Sequence, residues 1–483
     1  MTVITDVQLL KYRRTKIIAT LGPASSESKV IRKLIEAGVN VIRLNMSHGD
    51  HDGHARIYER VRAIADELKQ PVAVFADLCG PKIRTGKFRD GQITLTPGET
   101  VTVTTRDVPG EPGLIPSQYE ALARDVKPGD RILINDGVLE LQVGRIDGTE
   151  ITCSVIHGGL LKNHKGINLP HVQVSAPSLT DKDRLDAEFA LKLGVDFLAL
   201  SFVRRASDLD ELRALIRARK AHVGIIAKIE KPEALNNASA ILEAADAIMV
   251  ARGDLGVELN AEQVPTAQNQ LINMARAKNK PVIVATQMLE SMIENVRPTR
   301  AEVTDVSHAV AAGTDAVMLS AETAAGKHPI AAVEMMTRIA KQAEAFQFWQ
   351  RKRTKVSTIK QKGPIPFGDA VADAAARLSY DLDARAVLVL SSSGMSAVTV
   401  SASRPWAPIV GISANAATCR RMNLMWGIVP ILIPEVSDDN AIQIGRRVVQ
   451  ELGLAKPGEY ILLIRGFHGD PQLNTPSITL LAV

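Results

Sequence analysis

Short apolar runs of strand length recur along the first 340 residues, and this repetition constrains the fold more than any single motif. In order they are TKIIATLG, VNVIRLNMSHG, PVAVFADLCGPKIR, VDFLALSF, VGIIAKIE, ADAIMVARGD, PVIVATQ and DAVMLSAE, with helix-length amphipathic segments between them from the fourth onward. Earlier, residues 26–37 and 53–68 carry helical spacing, the first stopping at Gly38. One junction recurs as Ala37-Gly38-Val39-Asn40, Leu193-Gly194-Val195-Asp196 and Ala312-Gly313-Thr314-Asp315. Near-continuous apolar strands alternating with helices imply a parallel sheet covered on both faces. Eight such units in roughly 240 residues fit a (β/α)₈ TIM barrel.

The repeat is interrupted once and then ends. Between residues 86 and 171 the helical period gives way to strand-like alternation, as in QITLTPGETVTVTT and EITCSVIHGG, with Asp-Gly and Pro-Gly turns. This reads as a small β-barrel-like domain inserted after the third strand. Helical spacing returns at Thr180, where TDKD makes a capping box. The barrel pattern finishes near position 340, and QFWQRKRTKVSTIKQKGPIPFG, basic and broken by Pro, reads as a linker. Beyond it, AVLVLSSSGMS, APIVGIS, VPILIP, EYILLIRG and SITLLAV alternate with helices as an open α/β sandwich. The expected organisation is therefore a barrel from 1–85 and 172–340, an inserted domain at 86–171 and a C-terminal α/β domain at 341–483.

Composition narrows the class of function. A chain of 483 residues that is 46% hydrophobic, 23% charged and only 4% aromatic, with a net charge of +5, suits a multidomain globular protein and argues against nucleic-acid binding. Neither a membrane-length apolar run nor a signal-peptide core is visible, and Cys79, Cys153 and Cys419 are scattered; a cytoplasmic location is expected.

In such barrels functional groups come from the C-terminal ends of the strands. Those ends supply Arg43, Asn45, Ser47 and His48 from the second strand, and Asp77 and Arg84 from the third. Ser201 follows the fourth strand, Lys228 and Glu230 the fifth, and Arg252 and Asp254 the sixth; Thr286 and Gln287 follow the seventh, Ser320 and Glu322 the eighth. A strand end often carries charge simply because the chain returns to water, yet that does not predict carboxylates, cations and hydroxyls together on one rim. Two carboxylates able to hold Mg²⁺, flanked by Arg and Lys, suit a substrate bearing phosphate and carboxylate groups, and phosphoryl transfer needs positioning and charge neutralisation more than covalent chemistry. Two decoys fall away. AETAAGKH has Ala and His where a Walker A loop has Gly and Ser or Thr, and His48, His51 and His54 in SHGDHDGH open a helix rather than stack one turn apart.

TKIIATLGPAS, VIRLNMSHG, FADLCGPKIRTG, KGINLP, AKIEKPEAL, MVARGDLGVE, VATQMLESM and PTRAEVTDV together resemble the pyruvate kinase family, in its order and spacing. The resemblance implies phosphoryl transfer from phosphoenolpyruvate to ADP, giving pyruvate and ATP, by a cytoplasmic homotetramer. It implies that Glu230 and Asp254 hold Mg²⁺ (or Mn²⁺), and that Lys228 neutralises the phosphoryl and enolate oxygens. Arg43 would contact the phosphate, Gly253, Asp254 and Thr286 would seat the substrate carboxylate, and Thr286 lies where the family protonates the enolate. Asn45, His48, Arg84 and Lys165 resemble nucleotide contacts, Lys165 standing on a lid. Asn45, Ser47, Asp77 and the Leu78 carbonyl would outline a monovalent-cation pocket. Lys82, however, replaces the acidic residue of K⁺-dependent members, and a tethered ammonium can supply the potassium charge, so no K⁺ requirement is expected. His171 and His308 depart from the usual Gly and Asn. Ser391, Ser392, Ser393, Gly394 and Ser396 link a strand to a helix; they are equally an ordinary polar turn and a phosphate cradle, and the family binds phosphorylated effectors there. The competing readings are a metal-dependent lyase or aldolase acting on pyruvate or phosphoenolpyruvate, and a non-catalytic effector sensor.

Overall fold

The computed structural model describes residues 12–353, 365–468, 470 and 472–483. The N-terminal arm in which a signal core was sought and the middle of the expected linker lie mostly outside these residues.

Eight parallel strands close a barrel: β1 (Lys16–Thr20), β2 (Val41–Asn45), β3 (Ala73–Asp77), β4 (Phe197–Leu200), β5 (Gly224–Ile229), β6 (Ala247–Ala251), β7 (Val282–Ala285) and β8 (Ala316–Leu319). Each pairs with its neighbours in chain order, and β8 closes on β1 through Lys16↔Ala316 to Ala19↔Leu319. The recurring junction has a structural meaning. Gly38, Gly194 and Gly313 take φ of 117°, 86° and 93°, a left-handed turn that β-carbons resist. Two residues later a side chain latches the start of the adjoining strand. Asn40 Oδ1 accepts from Ile17 N, Asp196 Oδ2 from Val74 N, and Asp315 Oδ2 from Val282 N, at 2.9–3.1 Å. The repeat therefore seals the N-terminal end of the barrel, opposite the functional rim.

Helix α1 (Asp181–Leu193) opens on the expected capping box, Thr180 with Asp183. Helix α2 (Arg252–Glu258) begins on the residue after β6 with no loop between them. Helix α3 (Pro329–Arg353) overruns the expected barrel end at 340 and takes in the first part of the presumed linker. Residues 341–353 contain neither Gly nor Pro and are rich in Ala, Gln, Lys and Arg, so nothing stops the helix there.

Between β3 and α1 lies the inserted domain. Its six-stranded sheet and a two-stranded ribbon run from Gln92–Leu95 to Ile167–Asn168, with one short helix at Leu122–Asp125 that alternation alone did not indicate. Its core is separate from the barrel's, built on Phe88, Ile115, Leu141 and Ile151. The C-terminal domain is a five-stranded sheet of β9 (Val387–Leu390), β10 (Ile409–Ser413), β11 (Ile428–Leu432), β12 (Tyr460–Arg465) and β13 (Ser477–Ala482), ordered β11-β10-β9-β12-β13 with only β13 antiparallel. It carries α4 (Met395–Ala402) and α5 (Ala416–Met422).

The C-terminal domain stoppers the barrel floor. Leu424 is fully buried among Ile18, Val41, Phe75, Met249 and Met318, side chains that line the barrel interior. Around it the strand latches serve a second time. Arg420 Nε meets Asp196 Oδ1 at 2.8 Å, Arg404 Nη2 meets Asp315 Oδ1 at 3.1 Å, and Lys16 Nζ donates to the Ile428 carbonyl at 2.5 Å. Among the described residues no helix is long and apolar enough to cross a membrane.

Candidate active site

Strand parity builds the rim. Side chains alternate along a strand, so every second residue faces the barrel axis. The inward series are Val41-Arg43-Asn45, Phe75-Asp77, Ala199-Ser201 and Ile226-Lys228-Glu230, apolar low in the barrel and polar at its C-terminal mouth. Arg43 Nε donates to Asp77 Oδ2 at 2.7 Å, and Lys228 Nζ stands 3.3 Å from Asp77 Oδ1 and 2.9 Å from Glu230 Oε1. Lys228 also donates to Ser201 Oγ, which in turn donates a hydrogen bond to the Leu78 carbonyl, both at 2.7 Å. Glu230 Oε2 accepts from Phe202 N at 2.7 Å.

Burial makes these contacts strong. Asp77 and Glu230 are each 1% exposed. Burial alone would raise the Asp77 carboxyl, but Lys228 and Arg43 outweigh it and hold it below its ordinary value. Burial would likewise lower the Lys228 ammonium; Asp77 and Glu230 prevail and hold it above its ordinary value. Glu230 is pushed upward, first by burial and then by the Asp254 carboxylate, with Lys228 opposing. The ring thus keeps Lys228 charged, while the Asp254 carboxylate lies near enough to Glu230 to push it upward.

Two adjoining cavities share Lys82 and Asp254. One, of about 150 Å³, is walled by Arg43, Asp77, Lys228 and Glu230 at its base, and by Asn45, Ser47, His48, Leu78, Lys82 and Arg84 higher up. Four cations there face three carboxylates, counting Asp254, a balance suited to an anionic ligand. The other, of about 560 Å³, runs between Gly253, Arg252, Gln287 and Asp305 of the barrel and Asp136 of the inserted domain. Arg84 pairs with Gly166 in an antiparallel bridge at the base of the inserted domain. Lys165 adjoins that bridge, its amide bonded to Thr85 Oγ1, and lines neither cavity. His171 takes φ of 62° close by, which accounts for the usual Gly there. The histidine-rich stretch is tied down locally: His51 bonds Asp186 Oδ1 at 2.8 Å and stacks on Phe189, and His54 bonds the His48 carbonyl. His308 lies 3.3 Å from Asn269 Nδ2 on the barrel's flank.

Thr286 sits in a strained conformation at the end of β7, with φ of 71°, followed by Gln287 at 53°. Its hydroxyl donates to the Ala285 carbonyl and accepts from Gly253 N at 2.7 Å, so the amide expected to receive a substrate carboxylate is engaged by Thr286 in this state. Arg252, which the sequence left without a role, holds the bend. It donates to the Thr286 carbonyl at 2.8 Å and is anchored by Asp305 Oδ1 at 2.6 Å. Its position after β6 was the only sign of this in the sequence, because Asp305 lies on a distant helix.

The donor set fits a small hard divalent cation. Among the described residues no group of three or more His, Cys, Asp and Glu could encage a metal. Glu230 with Asp254 supplies two carboxylates beside an open cavity, the pattern expected of Mg²⁺, which keeps waters and takes substrate oxygens as its other ligands.

A third cavity, of about 500 Å³, lies in the C-terminal domain over the start of α4. Ser391, Ser392, Ser393 and Ser396 line it with Ser413, Asn415, Ser437 and His468; among the described residues none that lines it is Lys or Arg. Gly394, at φ of 100°, turns the chain into α4 and donates to Ser391 Oγ, while Ser396 Oγ donates to the Leu390 carbonyl.

Comparison with known proteins agrees with this architecture. Residues 12–333 match the family model for the pyruvate kinase barrel domain, and 369–479 that for the pyruvate kinase alpha/beta domain. A pyruvate kinase of Geobacillus stearothermophilus is 42% identical over 98% of this chain and 80% of its own length. One of Corynebacterium glutamicum is 43% identical over 96% of this chain and 97% of its own. The crystal structure of a pyruvate kinase from Cryptosporidium parvum superposes with a TM-score of 0.91 at 34% identity, over 99% of each chain.

Proposed function

The chain belongs to the pyruvate kinase family and transfers the phosphoryl group of phosphoenolpyruvate to ADP in the last step of glycolysis; on that footing we propose the roles of its individual residues. The observation that carries the assignment is the buried ion-pair chain Arg43–Asp77–Lys228–Glu230 at the barrel mouth, with Asp254 on the same cavity. Glu230 and Asp254 would hold Mg²⁺ or Mn²⁺, a bound cation that neutralises substrate oxygens when present. Arg43 contacts the transferred phosphate. Lys228, kept charged by its two carboxylates, stabilises negative charge as the phosphorus–oxygen bond breaks and the enolate forms. Gly253, Asp254 and Thr286 seat the substrate carboxylate, the Gly253 amide being released from Thr286 to do so, and protonation of the enolate proceeds from the Thr286 side through water. Asn45, His48, Arg84 and Lys165 contact the nucleotide phosphates, and closure of the inserted domain brings Lys165 in and excludes water. We take 1–85 with 172–340 as the catalytic barrel, 86–171 as the lid and the domain from 341 as the regulatory unit, although α3 runs across the limit at 340.

Lys82 lines both cavities, and its ammonium takes the place of K⁺ beside Asn45, Ser47, Asp77 and Leu78. The serine loop 391–396 receives a phosphorylated effector. The ligand expected there is a sugar phosphate or nucleoside monophosphate, its phosphate received by the amides and hydroxyls of the loop. The enzyme works as a cytoplasmic homotetramer. An assay of ADP-dependent pyruvate release from phosphoenolpyruvate, with Mg²⁺ alone and then with a panel of phosphorylated effectors, tests these roles. Pyruvate release without ADP would favour a lyase.

A further inference from the structure

Outside the catalytic ring an ammonium and an amide side chain meet at one buried carboxylate, a cluster of three. Glu258 Oε1, on the last residue of α2, accepts from Lys231 Nζ at 2.5 Å and from Asn168 Nδ2 at 3.2 Å. Glu258 is 3% exposed, Asn168 8% and Lys231 9%, and the second Glu258 oxygen, Oε2, is buried with no hydrogen-bond partner. The three come from three different parts of the site. Lys231 follows the cation ligand Glu230 directly. Glu258 ends the helix that carries Asp254 in its first turn. Asn168 belongs to the inserted domain, in the strand Ile167–Asn168 that pairs with Leu133 and Ile134. That ladder leads into the turn Asn135-Asp136-Gly137, which also rests on α2; a β-carbon on Gly137 would sit 3.6 Å from Val257 Cγ1. Both contacts of this hairpin with α2 therefore fall at the end opposite Asp254.

A buried ion pair with an unsatisfied oxygen is a poor device for stability, since desolvation offsets much of the attraction and apolar side chains of the same volume often serve better. It is a good device for fixing one geometry. We propose that Glu258 is a positioning residue. Through Lys231 it fixes the chain beside Glu230, through α2 it fixes Asp254, and through Asn168 it seats the base of the inserted domain. The cation pair and the lid are then set by a single helix, and neither Glu258 nor Asn168 lines the 150 Å³ or the 560 Å³ cavity. The inference rests on the assignment of Glu230 and Asp254 as the cation pair.

The test is direct binding of Mn²⁺ alone, followed by the paramagnetic resonance signal of the free ion, alongside steady-state kinetics. Glu230→Gln checks the underlying assignment: Mn²⁺ binding undiminished in that variant would overturn the cation pair itself. With that control passed, Glu258→Gln is expected to bind Mn²⁺ at least tenfold more weakly. Glu258→Asp, which keeps the charge but withdraws it by one methylene, covers the case in which the first variant does not fold, and a loss of at least threefold is expected. Asn168→Ala is expected to leave Mn²⁺ affinity and the KM for phosphoenolpyruvate within twofold while raising the KM for ADP at least threefold. Parental Mn²⁺ affinity in a folded Glu258 variant would overturn the positioning role. An unchanged KM for ADP in Asn168→Ala would overturn the link to the lid.

Discussion

The Arg252 guanidinium donates to the Thr286 carbonyl at 2.8 Å while Asp305 holds it from behind at 2.6 Å, so a residue with no reach to the phosphoryl chamber fixes a strained one beside it. Without that anchor Thr286 has little reason to keep φ of 71°. Arg252→Gln is expected to lower kcat/KM for phosphoenolpyruvate on the order of a hundredfold, the scale of an ångström-sized misplacement. Steady-state kinetics would show it, and a loss under threefold would mean that the bend holds itself.

Lys228 carries the heaviest electrostatic assignment. Its replacement in Lys228→Met should reduce kcat on the order of a thousandfold or more, with KM for phosphoenolpyruvate little changed. A mild loss would remove Lys228 from the chemical step.

Lys82 governs the ion requirement. The parent enzyme should turn over in buffer free of K⁺. Lys82→Glu should lose about 1.4 kcal/mol or more of transition-state stabilisation there, tenfold in rate, and regain it on adding KCl. Strong stimulation of the parent by K⁺ would refute the substitution of ammonium for potassium.

The barrel floor predicts a pH effect. Lys16 is lowered to about 7, chiefly by burial and further by Arg13 and Arg14, with Glu344 and Asp315 opposing. Unfolded, the same ammonium titrates near 10.5. Between these values the unfolded chain binds more protons, so this group makes stability rise with pH from about 7 toward 10. Below that window its cost is fully present. The difference in thermal midpoint between the parent and Lys16→Met should therefore shift in favour of the parent across that range; a constant difference would contradict the assignment.

Leu424 fills the same floor. Leu424→Ala should cost about 2–5 kcal/mol, the range for emptying a close-packed site. Urea unfolding followed by a barrel probe would register it, and a parental midpoint would show the plug to be loose.

Much of the rim was legible because strand parity is a local rule. Once Ile226 faces inward, Lys228 and Glu230 follow, and Asp77 follows Phe75. The Gly-x-Asp junction was visible as a repeat, yet its work was not. That Asp196 latches Val74 and then binds Arg420 depends on contacts made by residues 122 and 224 positions away. The first part of the segment read as a linker shows the reverse case, a basic composition overriding a plain lack of helix breakers.

The sequence by itself determined the eight-unit barrel, the insertion after the third strand and the family, since periodicity, turn chemistry and ordered motifs are all carried by neighbours along the chain. Tertiary structure alone decided that Leu424 closes the barrel, that Arg252 bends Thr286, and that Lys231, Glu258 and Asn168 meet. Each of these pairs groups far apart in sequence, and burial, which alone gives such contacts their strength, exists only once the chain has folded.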